Sequence, residues 1–133
     1  MTRPHDHRST PPATPAASRF PHEALDCYQV ARDVVAFVAQ HRCQLHGLPG
    51  EAGPQLERAC VRALLNTAEA AGRQGPRDRA RVFAIARGET CEAAAALDVA
   101  VLFGALTASE AAPARALLVR LGQMLTRLAR PGV

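Results

Sequence analysis

Arg58, Asn66, Glu69 and Glu92 bring together a guanidinium, an amide and two carboxylates on stretches of helical pattern. Such a set could hold an anion or a proton, but it has neither a nucleophile nor a metal partner. Its expected role is a structural polar network that satisfies its own hydrogen bonds and fixes helix register. Glu89 and Glu92 stand three apart, yet no His supplies the Glu-x-x-His pairs with which helical bundles bind two irons. His41 and His46 are five apart and share no helical face, and His22 stands alone. His5-Asp6-His7 sits in a polar stretch where a solvated triplet is expected. No metal and no cofactor are therefore expected. Gly47 to Gly53 lacks the phosphate-loop pattern, and the chain has no Lys to complete one. No Ser or Cys has a His at a recognisable catalytic spacing, so neither an enzyme activity nor a small-molecule substrate is expected.

The basic residues carry the stronger signal. All 16 are Arg, against 12 acids, for a net charge of +4. Arg73, Arg77, Arg79, Arg81 and Arg87 fall within fifteen residues, with Asp78 alone opposing them. Arg127 and Arg130 close the last helical stretch, and Arg19 precedes the first. In a bundle of alternating helices these segments meet at one pole. Arg73, Arg77, Arg79, Arg81, Arg127 and Arg130 are thus the candidate nucleic-acid-binding residues. Arg77 and Arg81 also oppose the dipole of the helix they begin, a local conflict that points to binding rather than to stability. Aromatic residues for stacking on bases are absent from this pole, so contact with RNA or DNA would run through phosphates with little sequence preference. The alternative is a purely structural homo-oligomer or protein–protein adaptor that binds no nucleic acid, with the arginines serving solubility.

The elements that must place these residues read as helices. Apolar residues make up 48% of the 133, but aromatics only 4%, and 28 are Ala against a single Ile. That composition disfavours pleated sheets and favours closely packed helices. Residues 1–20 contain Pro4, Pro11, Pro12 and Pro15 and form an expected disordered tail; 21–133 form one domain. Breakers at Gly47 to Gly50, Gly72 to Pro76 and Leu106-Thr107 leave four expected helices, about 22–46, 52–71, 76–105 and 108–130. Thr107 and Glu110 predict a capping box at the start of the fourth. The expected fold is all-α, an antiparallel up-down-up-down four-helix bundle.

The first helix carries a seam of Tyr28, Ala31, Val35, Val38 and Leu45, and the fourth a row from Ala114 through Leu118, Leu121 and Leu125 to Leu128. A second stripe on the first helix, Cys27, Val30, Val34 and Phe37, exceeds what one core needs and is the expected oligomer interface. Cys27, Cys43, Cys60 and Cys91 form no C-x-x-C pair and are expected to be small buried hydrophobes in a reducing compartment. No apolar run spans a membrane and no secretory signal opens the chain, so the cytoplasm is the expected location.

Gln55-Leu56, Arg58-Ala59 and Val61, then Asn66, Ala68, Glu69 and Gly72-Arg73, follow one another in an order that has a known parallel. Gly75-Pro76-Arg77-Asp78, Gly88 and Glu92 continue it, after Phe20, Leu25, Tyr28 and Ala31-Arg32. Over about residues 20–130 the chain resembles the four-helix-bundle proteins first met as products of intervening sequences in bacterial 23S ribosomal RNA genes. It departs from their pattern at Leu64, Ala70 and Glu89, where that family usually has Pro, Gly and Ser. The resemblance implies a ring-like homo-oligomer, often a pentamer, and no biochemical activity for most members. A related group, the accessory proteins of diversity-generating retroelements, implies a reverse transcriptase and RNA as partners. The expected function is a non-enzymatic oligomeric scaffold that engages nucleic acid or a nucleic-acid enzyme through its basic pole.

Overall fold

The computed structural model describes residues 19–131, and among them every regular element is helical. The all-α expectation holds. Residues 1–18, most of the expected tail, lie outside the described residues, as do His5-Asp6-His7. A 3-10 turn, Pro21–Ala24, leads into α1 (Asp26–Gln40) and a single turn α2 (Arg42–Leu45). After a second 3-10 turn, Pro49–Glu51, come α3 (Ala52–Gly72), α4 (Pro76–Leu102) and α5 (Ala108–Leu128).

The first expected helix is therefore broken twice. Leu25 is extended (φ −95°, ψ 128°) and separates the 3-10 turn from α1. At the other end His41 stacks on the Phe37 ring, and its Nδ1 donates to the Phe37 carbonyl at 2.8 Å. The His41 backbone leaves helical geometry (φ −104°, ψ 13°). This side-chain bond takes up a helix-terminal carbonyl and closes α1 where apolar periodicity alone reads straight through. Leu45 still reaches the core from α2.

α4 also stops short of its expected end. Gly104 takes φ +75°, its N–H donates to Val101 at 3.0 Å, and the Ala105 N–H donates to Ala100 at 2.9 Å. That double bond around a left-handed Gly is a helix stop. The expected capping box is present: the Glu110 N–H donates to Thr107 Oγ1 and the Thr107 N–H to Glu110 Oε1, both at 3.0 Å.

Packing follows from small residues. Ala86, Ala93 and Ala100 on α4 and Ala59, Ala63 and Ala70 on α3 are all buried, so the two helices approach closely and form the largest interface in the chain. Gly53 lies against the backbone carbonyl of Leu45, where a β-carbon has no room. The only buried polar side chains among the described residues are Thr67 and Thr90, whose hydroxyls donate to Ala63 and Ala86 carbonyls at 2.7 and 2.9 Å.

α1 touches α3 and α5, and α4 touches α3 and α5. A cavity of about 150 Å³ joins Gln74, Arg79, Leu128 and Arg130, which sets the α3–α4 connection and the start of α4 beside the end of α5. Leu25 and Cys27 share another cavity with Met124 and Leu128, so α1 begins at that same end. At the opposite end Gln44 Nε2 donates to Glu110 at 3.1 Å, linking α2 to the start of α5.

Candidate nucleic-acid interface

Two expected groupings do not form. The stripe assigned to an oligomer interface is core: Cys27, Val30 and Val34 are only 2%, 3% and 1% exposed, and Phe37 packs against the same core. Both α3 and α5 pack on α1, with the first 3-10 turn and α2 at its ends, so it needs an apolar face wider than a single seam. The polar network is also absent. Arg58, Glu69 and Glu92 are exposed, Asn66 is half-buried, and no hydrogen bond joins any two of them. They alternate along helices at positions that face outward, and Glu69 pairs instead with Arg73 one turn on.

The cysteines divide. Cys27 and Cys60 are buried and Cys43 and Cys91 exposed, correcting the expectation that all four are interior. Burial raises the Cys27 thiol above its ordinary pKa and pushes Cys60 up to about 11. The Cys60 Sγ donates to the Glu57 carbonyl at 3.2 Å, and neither thiol can act as a nucleophile near neutrality.

The arginine pole assembles, but in two unlike parts. Around the α3–α4 connection, Arg73 Nη1 donates to Asp78 at 3.1 Å and its Nη2 to Glu69. Arg81 donates to the other Asp78 oxygen from Nη2 at 2.9 Å and from Nε at 3.2 Å. Asp78 is held below its ordinary pKa, chiefly by the Arg81 hydrogen bond, with the Arg73 charge adding to it. The conflict with the helix dipole is thus compensated locally for Arg81, whose guanidinium is held by Asp78. Arg77 itself is exposed, without an ion pair among the described residues.

The second part lies between α4 and α5. A cleft of about 480 Å³ runs there over Ala94, Leu118 and Gly122, with Arg87, Arg127 and Arg130 lining it. Arg130 also lines the smaller cavity with Arg79, so the two open spaces share one lining residue. No Asp or Glu lines either space, and none of these four arginines makes an ion pair among the described residues. Their guanidiniums are five-donor forks suited to phosphate oxygens. Arg87 stood in the expected basic cluster but not among the expected contacts. Its signal was spacing, since it projects toward α5 only once α4 is packed.

One aromatic also departs from expectation. Phe20 is 67% exposed, stacked on His22 with ring centroids 5.6 Å apart, and its 3-10 turn packs on α1 and α3. It lies at the same end of the molecule as the arginines but on the side away from the α4–α5 cleft.

Among the described residues no group of three His, Cys, Asp or Glu could hold a metal ion, and no helix is long and apolar enough to cross a membrane. No curated protein matches the chain. The description 23S rRNA-intervening sequence protein matches residues 23–127, from the 3-10 turn to the last turn of α5. That span contains α1 to α4, all of α5 but its last residue, and Arg73, Arg77, Arg79, Arg81, Arg87 and Arg127, and on it the chain belongs to the family of 23S rRNA-intervening sequence proteins.

Proposed function

We propose that this chain is a non-catalytic binding module that engages nucleic-acid phosphates through Arg79, Arg87, Arg127 and Arg130. The supporting observation is that four arginines line two open spaces that share Arg130 and whose linings contain no carboxylate. The same helices read as an antiparallel up-down-up-down bundle, which sets the start of α4 beside the end of α5. The thiol that lines the basic face, Cys91, has no His beside it in the cleft to activate it. Contact with phosphates is sequence-tolerant and strongly dependent on salt.

The test is a salt titration of binding to generic RNA. Affinity should fall steeply between low and physiological salt, and each phosphate contact removed should lower the log–log slope by about 0.7–0.9. Replacing Arg79, Arg127 and Arg130 together by Gln should flatten the slope without unfolding the helices. Equal binding by parent and triple variant at every salt concentration would refute the assignment.

A homo-oligomer, by which the basic face would repeat and weak contacts add, finds support in a different surface from the one expected. Val61 and Leu65, one turn apart on α3, and Ile85 on α4 are exposed apolar side chains. Light scattering should then give a mass several times 14.1 kDa. Leu65→Glu should reduce it to that of the single chain, whereas a parent chain that is already monomeric would dispose of this reading.

A further inference from the structure

The α4–α5 cleft differs from an ordinary basic helix face because it has a floor. Gly122 presents no side chain to it, and Ala94, four residues beyond the buried Thr90 and close to Cys91, presents only a methyl. Leu118 and Val119 continue the floor and wall as apolar surface, and Val119 is among the exposed large hydrophobics of the molecule. The hydroxyls of Thr90 and Thr126 are turned away into their own helices, donating to Ala86 and Gly122 carbonyls at 2.9 and 2.7 Å. Gln123 alone leaves an uncommitted amide on the cleft, a group that both donates and accepts. The cleft is cationic at the Arg87, Arg127 and Arg130 end and apolar toward Leu118. From Leu118 to Arg130 it follows α5 for about 18 Å at 1.5 Å per residue.

Resting on the phosphate-binding reading above, we infer that this cleft takes single-stranded nucleic acid. The strand's phosphates lie on the arginines, and its bases and sugars turn onto the apolar floor. Two helices packed about 8–10 Å apart leave a trough too narrow for a duplex, whose phosphates sit on a rigid cylinder. A duplex would touch only the arginine rims, whereas an unstacked strand can lower its bases between them. Arginines beside an apolar floor also hold any base face, by stacking and cation–π contact, so the site is tolerant of sequence. A docked amphipathic helix is the poorer occupant. It would need apolar anchors spaced over several turns, and Gln123, Thr126 and Arg127 interrupt the apolar surface after Leu118 and Val119.

Two features of the chain allow a direct test. Cys91 lies in the cleft, while Cys43 is exposed on α2 at the opposite end, so their alkylation by iodoacetamide reports occupancy against an internal control. A β-carbon at Gly122 meets nothing within 4 Å, so Gly122→Leu starts its side chain in open space on the cleft, and Leu is the better helix former. Short oligo(dT) should slow alkylation of Cys91 at least about fivefold and leave Cys43 unchanged, while a duplex of the same length should protect neither. Gly122→Leu should weaken oligo(dT) binding about tenfold and leave duplex affinity and its salt slope as in the parent. If Gly122→Leu binds oligo(dT) as the parent does, or Cys91 stays reactive in the complex, the cleft is not the strand's site, although the arginine pole can still bind phosphates from its rim. If polyglutamate protects Cys91 where oligo(dT) does not, the cleft is a peptide site and the inference is overturned. If neither oligo(dT) nor duplex binds at low salt, the phosphate-binding reading falls with it.

Discussion

Asp78 holds Arg73 and Arg81 on its two oxygens, and Glu69 takes the second nitrogen of Arg73, so these two arginines form a closed ionic group at the α3–α4 connection. Arg87, Arg127 and Arg130, at the same end of the molecule, line a cleft with no carboxylate in it. Arginine spacing alone does not tell the two regions apart in binding: Arg77 and Arg81 stand four residues apart, Arg127 and Arg130 three. The difference lies in where the acids fall. A guanidinium with its donors spent on carboxylates costs more to present to a phosphate than one whose donors face water. The far pole repeats the closed arrangement, with Arg42 Nε 2.6 Å from Glu57 beside a small cavity of about 160 Å³. Arginine number is therefore a poor guide to binding in this molecule, and the local balance of carboxylates a better one.

Moving a carboxylate between the two regions tests that contrast most severely. Gln123→Glu sets a carboxylate one turn before Arg127 within the cleft. The new pair is oriented to favour the helix by about 0.3–0.5 kcal/mol, yet nucleic-acid affinity at low salt should fall roughly tenfold. Thermal denaturation and a binding titration on one preparation would show stability and affinity moving in opposite directions. If affinity holds, the unpaired state of the cleft arginines is irrelevant to binding.

Next in size is a change that should affect stability alone. Thr107→Ala removes the capping hydroxyl of α5 at the pole away from the arginines and should cost about 1 kcal/mol in chemical denaturation. Its salt-dependent binding should match that of the parent. A loss of affinity here would mean that binding follows global stability and not the cleft.

The reverse transfer should have a smaller effect. Asp78→Asn releases Arg81, while Arg73 keeps Glu69, so affinity should rise about threefold with a slightly steeper salt slope. A decrease would show that Asp78 positions its arginines for phosphate, which is the opposite of the closed-group reading.

The smallest effect concerns acid. Asp78 and Glu110 are both held below their ordinary pKa values of 3.8 and 4.5, Glu110 chiefly by the Thr107 backbone N–H and then by Gln44. A carboxyl depressed in the folded state contributes stability that is present above its unfolded pKa and lost as pH falls through the folded one. Melting temperature should therefore be flat above about pH 5 and decline below pH 4.5 and then 3.8. Asp78→Asn should make the lower limb shallower, and an unchanged limb would show that the Arg73–Asp78–Arg81 group does not persist in solution.

Helical identity was legible in the residues themselves. Alanine-rich composition, the Thr107 and Glu110 spacing, Pro76 at a helix start and the leucine row of α5 all act within one or two turns, and the chain obeys them. The stop at Gly104 and the break at His41 were harder to read. The first depends on which of several glycines adopts a left-handed φ, the second on a ring choosing its own helix carbonyl. Which apolar residues stay exposed was not legible, because a helix flanked by several neighbours hides every apolar residue that a helix flanked by one would expose. Cys27, Val30 and Val34 therefore became core, while Val61 and Leu65 stayed outside. The closed ionic group is local, since Arg73 meets Glu69 one turn back and Arg81 meets Asp78 one turn back, whereas the gathering of Arg87 with Arg127 and Arg130 along one cleft belongs to the tertiary structure. The net charge of +4 and the grouping of basic residues follow from sequence, whatever the fold. Whether Arg87 shares an open space with Arg127 and Arg130 depends on how α4 and α5 set their side chains across the gaps between them. Packing across those gaps depends on contacts far apart in the chain, which no local spacing encodes.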